Sequence, residues 1–265
     1  MRILLTNDDG IAAPGIVALH DAIRDLGEVV VVAPKTVQSA TSHGITYHQP
    51  LMVSQVRVTP TMSGAAVDGR PADCVKLALT NLWPERFGPG ERPDLVISGM
   101  NAGANCGINV IYSGTVAAAI EAAFLGVPSI AVSLLLAGGD PDFEAGALHA
   151  RRTIDAILSA GPLEAHECLS VNIPRTERGD PHAREEREIR VCPMNVHGLV
   201  DSYERRQSPG GEPYYWASGH GLDFRNTDPG TDVHELKNGR ITLTPLKFDL
   251  TSQPGLARWS QRLGG

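Results

Sequence analysis

The sequence predicts an α/β protein with a doubly wound, mostly parallel sheet and a C-terminal β-hairpin extension. Three observations predict it. Short apolar runs rich in β-branched residues recur at Ile3–Thr6, Val29–Val32, Asp94–Ser98 and Ser129–Ser133, each too short for a helix. Between them stand segments with apolar residues at helical spacing, and alternation of this kind builds a parallel sheet covered on both faces. The first run stops at Asp8-Asp9-Gly10, which puts two carboxylates at the carboxyl end of a strand, where open α/β sheets bind their ligands.

Taken in order, Ile3–Thr6 reads as a buried strand because polar turn residues bound it. Pro14–Leu26 reads as a helix, with a proline in its first turn and Gly27 as a stop. Val29–Val32 is the second strand, so Met1–Pro34 forms a βαβ unit with parallel strands and a right-handed crossover. The pattern repeats with a helix over Pro71–Leu82, a strand over Asp94–Ser98, a helix over Gly114–Leu125 and a strand over Ser129–Ser133. Beyond about residue 175 the texture changes. Thr176–Arg190 is crowded with charge and Ser208–Pro213 has the composition of a hairpin tip. Tyr214–Trp216 and Ile241–Thr244 have the content of exposed or antiparallel strands, and Gln253–Leu263 closes the chain as a short helix. Residues 1–175 are therefore expected to form the catalytic core. Residues 176–265 are expected to form an extension with an oligomerisation arm and a C-terminal segment packing back on that core. The aromatic hairpin is too small to bury Tyr214, Tyr215 and Trp216 by itself, which points to a homodimer or homotetramer.

The 265 residues carry a net charge of −7, which argues against a surface that coats a nucleic-acid duplex. The four cysteines, Cys74, Cys106, Cys168 and Cys192, have no CxxC spacing and read as buried thiols of a reducing cytoplasm. Arg2 and Asp8 leave no room for an apolar signal region, and Val127–Ala137 falls well short of the ~20 residues of a membrane helix. A cytoplasmic protein without membrane contact is expected.

The functional reading begins at the acid pair. Adjacent carboxylates repel, so Asp8 and Asp9 imply a shared proton, a cation or full solvation; the alternative is an acidic turn capping the next helix. The Asp94–Ser98 strand runs into Gly-Met-Asn-Ala-Gly-Ala-Asn105, where small residues let backbone amides approach a ligand. Asn101 and Asn105 offer amide oxygens and donors there, or serve as turn residues. The loop continues to Ser113, Gly114 and Thr115 at a helix start, whose unpaired amides and hydroxyls suit a phosphate. The hydroxyl-rich loop Lys35–Thr46 leaves its strand on the same rim; it supplies Ser39 as a neutral oxygen and His43 as a candidate proton donor. Carboxylates, a hydroxyl and an amide oxygen from successive strand ends make an all-oxygen site for a hard cation such as Mg²⁺ or Mn²⁺, and hence for metal-assisted attack on a phosphate ester. Asp8 or Asp9 as nucleophile and a metal-activated water are both compatible with these residues.

Thr-Asn-Asp-Asp-Gly10, Val-Ala-Pro34, Pro71-Ala-Asp-Cys74, Ile-Ser-Gly-Met-Asn-Ala-Gly-Ala-Asn105, Tyr-Ser-Gly-Thr-Val116 and Leu-Thr-Pro-Leu246 together resemble the survival protein SurE family. The likeness covers residues 1 to about 135 and resumes over Gly239–Thr251. It implies a Rossmann-like core and a cytoplasmic, metal-dependent 5′-nucleotidase, active also on 3′-nucleotides and short polyphosphate and assembled through a swapped C-terminal arm. Carried over by position, the metal ligands of one divalent cation per subunit fall on Asp8, Asp9, Ser39 and Asn101, and the phosphate loop on Ser113, Gly114 and Thr115. Asn105 joins the phosphate side; Asp8, Asp9 and His43 are the catalytic candidates. Ala40 departs from the family, which usually has glycine there.

Two other classes remain readable. A receiver-like signalling module also binds magnesium with an acid pair, but needs an aspartate where this chain has Ile97-Ser-Gly-Met-Asn101. A non-catalytic nucleotide-binding protein would use the same residues without turnover. GxGxxG and P-loop motifs are absent from the sequence.

Overall fold

The first strand sets the layering. In the computed structural model, Ile3 and Leu5 of β1 (Arg2–Thr6) pack with Ile16, Leu19 and Ile23 of α1 (Pro14–Ile23) and with Ala147 and Ile154 of α5 (Phe143–Ala160). Leu4, between them, packs on the other face with Val75 of α2 (Pro71–Leu77), Trp83 of α3 (Trp83–Phe87) and Ala118 of α4 (Gly114–Phe124). All three β1 residues are fully buried, worth ~2 kcal/mol apiece. An unbroken apolar strand is what a sheet covered on both faces requires.

The structure describes residues 1–136, 138–198, 202–218 and 224–264. The remaining strands of the main sheet are β2 (Glu28–Pro34), β3 (Val53–Arg57), β4 (Ser63–Val67), β5 (Leu95–Ala102), β6 (Ser129–Leu134), β7 (Cys168–Ile173), β8 (Ile189–Val191) and β11 (Ile241–Leu246). Their order is β3-β4-β2-β1-β5-β6-β7-β11-β8. The run from β4 to β7 is parallel throughout; β3 joins antiparallel to β4, and β11 lies antiparallel to β7 and parallel to β8. Chain order reverses beside β1, whose neighbours are β2 and β5. The doubly wound, Rossmann-like sheet expected from the sequence is thus the fold observed.

Several elements escaped the sequence reading. β4 is Ser-Gly-Ala-Ala-Val67, and its small residues lack the apolar density of a strand; Gly64 is needed because a Cβ there would sit 2.5 Å from the Val31 carbonyl oxygen. β3, β7, β8, α5 and α6 (Asp232–Lys237) were likewise not recognised. The helix expected over Pro71–Leu82 is α-helical only to Leu77 and continues as a π-helical turn over Ala78–Leu82. Ile241–Thr244 is antiparallel to β7 as read, yet it is buried in the main sheet and not exposed.

β9 (Ser202–Gln207) and β10 (Pro213–Ser218) form a separate antiparallel hairpin that exposes Tyr203, Tyr214, Tyr215 and Trp216. α7 (Gln253–Leu263), capped by Ser252, buries no residue and leaves Leu256, Trp259 and Leu263 exposed. All four cysteines are free and buried. Among the described residues no helix is long and apolar enough to cross a membrane.

Candidate active site

A cleft of about 530 Å³ opens at the carboxyl ends of β1 and β5, and is lined by Asp8, Asp9, Ser39, Asn101, Asn105 and Ser113, with Tyr112, Leu135 and Leu136 beside them. Its volume suits a small-molecule ligand, and it stands at the topological switch point. The sequence-derived metal set of Asp8, Asp9, Ser39 and Asn101 therefore shares one cavity.

Asp8 is separated from β1 by Asn7 and is 6% exposed. The Thr115 hydroxyl donates to its carboxylate, and its main-chain carbonyl accepts from the Gln38 N–H at 2.7 Å. Burial, reinforced by the charge of Asp9, pushes the Asp8 carboxyl up to about 6 against the opposing pull of the Thr115 bond. Asp9 Oδ2 accepts from the Ala102 N–H at 2.9 Å, which ties the second acid to the end of β5. There the pairing with β6 shifts register between Ser98 and Asn101, so that Asn101 stands opposite Ser133. The Asn101 amide Nδ2 donates to the Gly103 carbonyl at 2.7 Å, which spends its donor side and leaves Oδ1 as the acceptor.

The loop carrying Ser39 is pinned along its length. Beyond the Gln38 bond, Ser42 donates through Oγ to the Ile111 carbonyl (2.7 Å) and through N–H to the Tyr112 carbonyl (3.1 Å), and Thr46 donates through N–H and hydroxyl to Asp73 at 2.8 and 2.7 Å. Ala40 and Ser42 have φ of 55° and 54°, the left-handed region that favours glycine. The departure at Ala40 thus falls on a backbone conformation for which glycine is suited.

Other sequence-derived residues take different places. His43 is not on the cleft lining: its Nε2 lies 2.7 Å from Glu121 Oε2, and Lys76 Nζ stands 3.3 Å from Oε1 of the same buried carboxylate. Burial acts to raise the Glu121 pKa, but the bonds from His43 and Lys76 outweigh it and hold it low. Ser113 caps α4 by accepting from the Val116 N–H at 3.0 Å. Gly114 packs beneath the acids, where a Cβ would fall 2.9 Å from that of Asp8. Thr115 is fully buried, with its hydroxyl committed to Asp8. Asn105 lines the cleft, yet its Nδ2 donates to Ser133 Oγ at 2.9 Å. Sequence reasoning missed Glu121, Lys76 and Asn172. A lone acid within Ala-Ala-Ala-Ile-Glu121 and a lone amide within Leu-Ser-Val-Asn172 were the available signals, since polar groups in apolar runs are kept only where they are partnered.

The donor set fits a hard divalent cation. Every group is oxygen, two are carboxylates, and burial together with the charge of Asp9 pushes the more buried one up to about 6. No cluster of three His, Cys, Asp or Glu side chains suited to a metal exists among the described residues; the neutral oxygens of Ser39 and Asn101 complete this set instead.

Fold and cleft together define a doubly wound α/β protein with an oxygen-lined cleft at its switch point. A family model described as Survival protein SurE matches residues 3–198, and the chain belongs to that family. The 5′-nucleotidase SurE of Rhodopirellula baltica is 47% identical over 255 residues, covering 95% of this chain and 94% of that protein. The 5′-nucleotidase SurE of Desulforudis audaxviator is 42% identical over 259 residues, covering 97% and 95%. The crystal structure of the SurE protein from Aquifex aeolicus matches with a TM-score of 0.81 and 33% identity over 100% of both chains.

Proposed function

We propose that this chain is a metal-dependent 5′-nucleotidase that hydrolyses nucleoside 5′-monophosphates to nucleoside and phosphate. The observation that carries this reading is the Asp8–Asp9 pair on the wall of the cleft, with Asp8 buried and pushed up to about 6. Its relatives named 5′-nucleotidase SurE support catalysis over binding alone. Asp8, Asp9, Ser39 and Asn101 hold one divalent cation, Mg²⁺ or Mn²⁺. When bound, that cation supplies charge neutralisation for the phosphoryl oxygens and activation of water. Thr115 orients Asp8 and the Ala102 amide orients Asp9; the Ser113 N–H is taken by the Val110 carbonyl, so the main-chain amides offered to the phosphate at the start of α4 are those of Gly114 and Thr115. His43, through Glu121, holds the loop that presents Ser39. Tyr112, Leu135 and Leu136 form an apolar wall for the nucleoside.

The same geometry accommodates 3′-monophosphates and short polyphosphate, which present a similar terminal phosphoryl group. The exposed rings of the β9–β10 hairpin and the bare face of α7 support a homodimer or homotetramer built through residues 176–265, with 1–175 as the catalytic core. The buried free thiols accord with a cytoplasmic location.

The test is phosphate release by metal-stripped protein across a panel of nucleotides, with each divalent ion added back. Restoration by Mg²⁺ or Mn²⁺ is expected, with kcat lowered ~10²-fold or more in Asp8→Asn and Asp9→Asn. Full activity of either variant in chelator refutes the reading.

A further inference from the structure

One wall of the cleft is the segment from Asn101 to Ser113, which leaves β5, runs irregularly to Cys106 and then makes a 3₁₀ turn over Gly107–Tyr112. Small residues dominate its first half, so side-chain packing holds little of it. Two buried polar side chains, both distant in sequence, hold it instead. On β7, the Asn172 amide brackets Asn105: Oδ1 accepts from the Asn105 N–H at 2.7 Å, and Nδ2 donates to the Asn105 carbonyl at 3.0 Å. The side chain thereby does for one residue what a neighbouring strand does for a ladder. Two residues on, the Asp232 carboxylate at the start of α6 accepts from the Gly107 N–H at 2.7 Å. Its other oxygen accepts from the Asn195 and Val233 N–H groups at 2.8 and 2.7 Å. Asn172 is 1% exposed and Asp232 2%. Gly107 has a φ of 59° and lies so close to Phe224 that a Cβ would fall 2.6 Å from its ring. Phe224, Ala104 and Leu135 all pack against the buried cluster of Cys106, Val233 and Leu236, and Ala104 and Leu135 line the cleft.

We propose that Asn172 and Asp232 are positioning residues for the reaction: gripping Asn105 and Gly107, they set the cleft wall against which substrate binds. The proposal rests on the nucleotidase reading above. Neither residue is among the proposed metal ligands; Asn172 touches the phosphate-side residue Asn105 only at its main chain, and Asp232 holds Gly107 in the same way. Buried polar groups with all partners satisfied make a rigid support, and removing one partner leaves the other stranded.

The experiment uses the full chain with three variants. Asn172→Asp keeps the acceptor for the Asn105 N–H but sets a carboxylate oxygen against its carbonyl. Asp232→Asn keeps the shape but, whichever way it turns, points an NH₂ at an N–H. Asn172→Ser removes the bracket with the least new charge. The readouts are kcat and KM for a nucleoside monophosphate at saturating Mn²⁺, Mn²⁺ affinity by calorimetry, and amide hydrogen exchange in the peptide spanning residues 103–112. The expected result is a KM at least tenfold higher, Mn²⁺ affinity within threefold of wild type, and exchange at least tenfold faster in that peptide. Unchanged KM with accelerated exchange overturns the proposal, as does no change in either, and loss of the fold in all three variants makes the residues structural and overturns it too. An inactive wild-type protein refutes the nucleotidase reading instead. The positioning role is then decided by whether inorganic phosphate with Mn²⁺ slows exchange in this peptide in the wild type and fails to do so in the variants.

Discussion

The hydroxyl of Thr115, on the first turn of α4, donates directly to the carboxylate of Asp8 at the end of β1. The motif that reads in sequence as a phosphate loop therefore also sets the orientation and the charge of a buried cleft carboxylate. A hydrogen bond to a charged group is worth ~1.5–3 kcal/mol. Thr115→Val is expected to weaken Mn²⁺ binding about tenfold or more, and Thr115→Ser to restore most of it, as measured by calorimetry. Equal Mn²⁺ affinity in the valine variant refutes this role.

The acid pair makes metal binding depend on pH. Because the folded-state pKa of Asp8 is raised from 3.8 to about 6, a proton competes with the cation below that pH. The apparent divalent affinity is expected to rise roughly tenfold per pH unit up to about 6 and to level off above it. The sign for stability is the reverse of the usual carboxylate case. The folded state holds this proton more tightly than the unfolded chain, so metal-free protein loses on the order of 3 kcal/mol as pH rises from about 4 through 6. Thermal melts in chelator across that window, repeated with Asp8→Asn, isolate the contribution.

Ala40 carries a positive φ of 55°, which costs a residue with a Cβ roughly 1–2 kcal/mol. Glycine relieves that cost, less the extra freedom it gives the unfolded chain. Ala40→Gly is expected to stabilise the protein by ~0.5–1 kcal/mol, seen as a rise of roughly 1–3 °C in Tm. A lower Tm contradicts the assignment of strain to this loop.

Removal of residues 205–218 is expected to lower the oligomeric mass measured by light scattering while leaving divalent binding within each subunit intact. The proposed ligands Asp8, Asp9, Ser39 and Asn101 all precede the hairpin by more than a hundred positions. An unchanged mass makes the hairpin a surface ornament.

What was legible in the sequence follows a physical pattern. β1, β2, β5 and β6 declared themselves because each carries an unbroken apolar run, Ile3–Leu5, Val29–Ala33, Leu95–Ile97 and Ile130–Val132, and the carboxyl ends of the first three carried the candidate chemistry. β4 was hidden by Ser63, Gly64 and Ala65, small residues chosen for close approach to Val31. α5 was hidden by its polar face, where Arg151, Arg152 and Asp155 break the apolar density that drew attention elsewhere. At the site, Asp8, Asp9, Ser39 and Asn101 could be grouped because each follows a recognisable strand. The roles of Thr115 and His43 depend on partners 107 and 78 positions away, and such pairings leave no periodic trace. Asn172 and Asp232 were missed for the same reason: each is a single polar residue whose work is done on a main chain far along the sequence.

The placement of β11 has a bearing on how the chain comes into being. Residues 242–246 pair with residues 168–172 of β7, a strand whose every residue is buried. During synthesis from the N-terminus, β7 emerges some seventy residues before its outer neighbour, and until β11 arrives its edge is an open template of unpaired amides and carbonyls. A growing chain halted in that interval presents Cys168–Ile173 to any other strand it meets. The protein is thus most exposed to misassociation late in its making, and premature termination just short of β11 yields a species prone to aggregate.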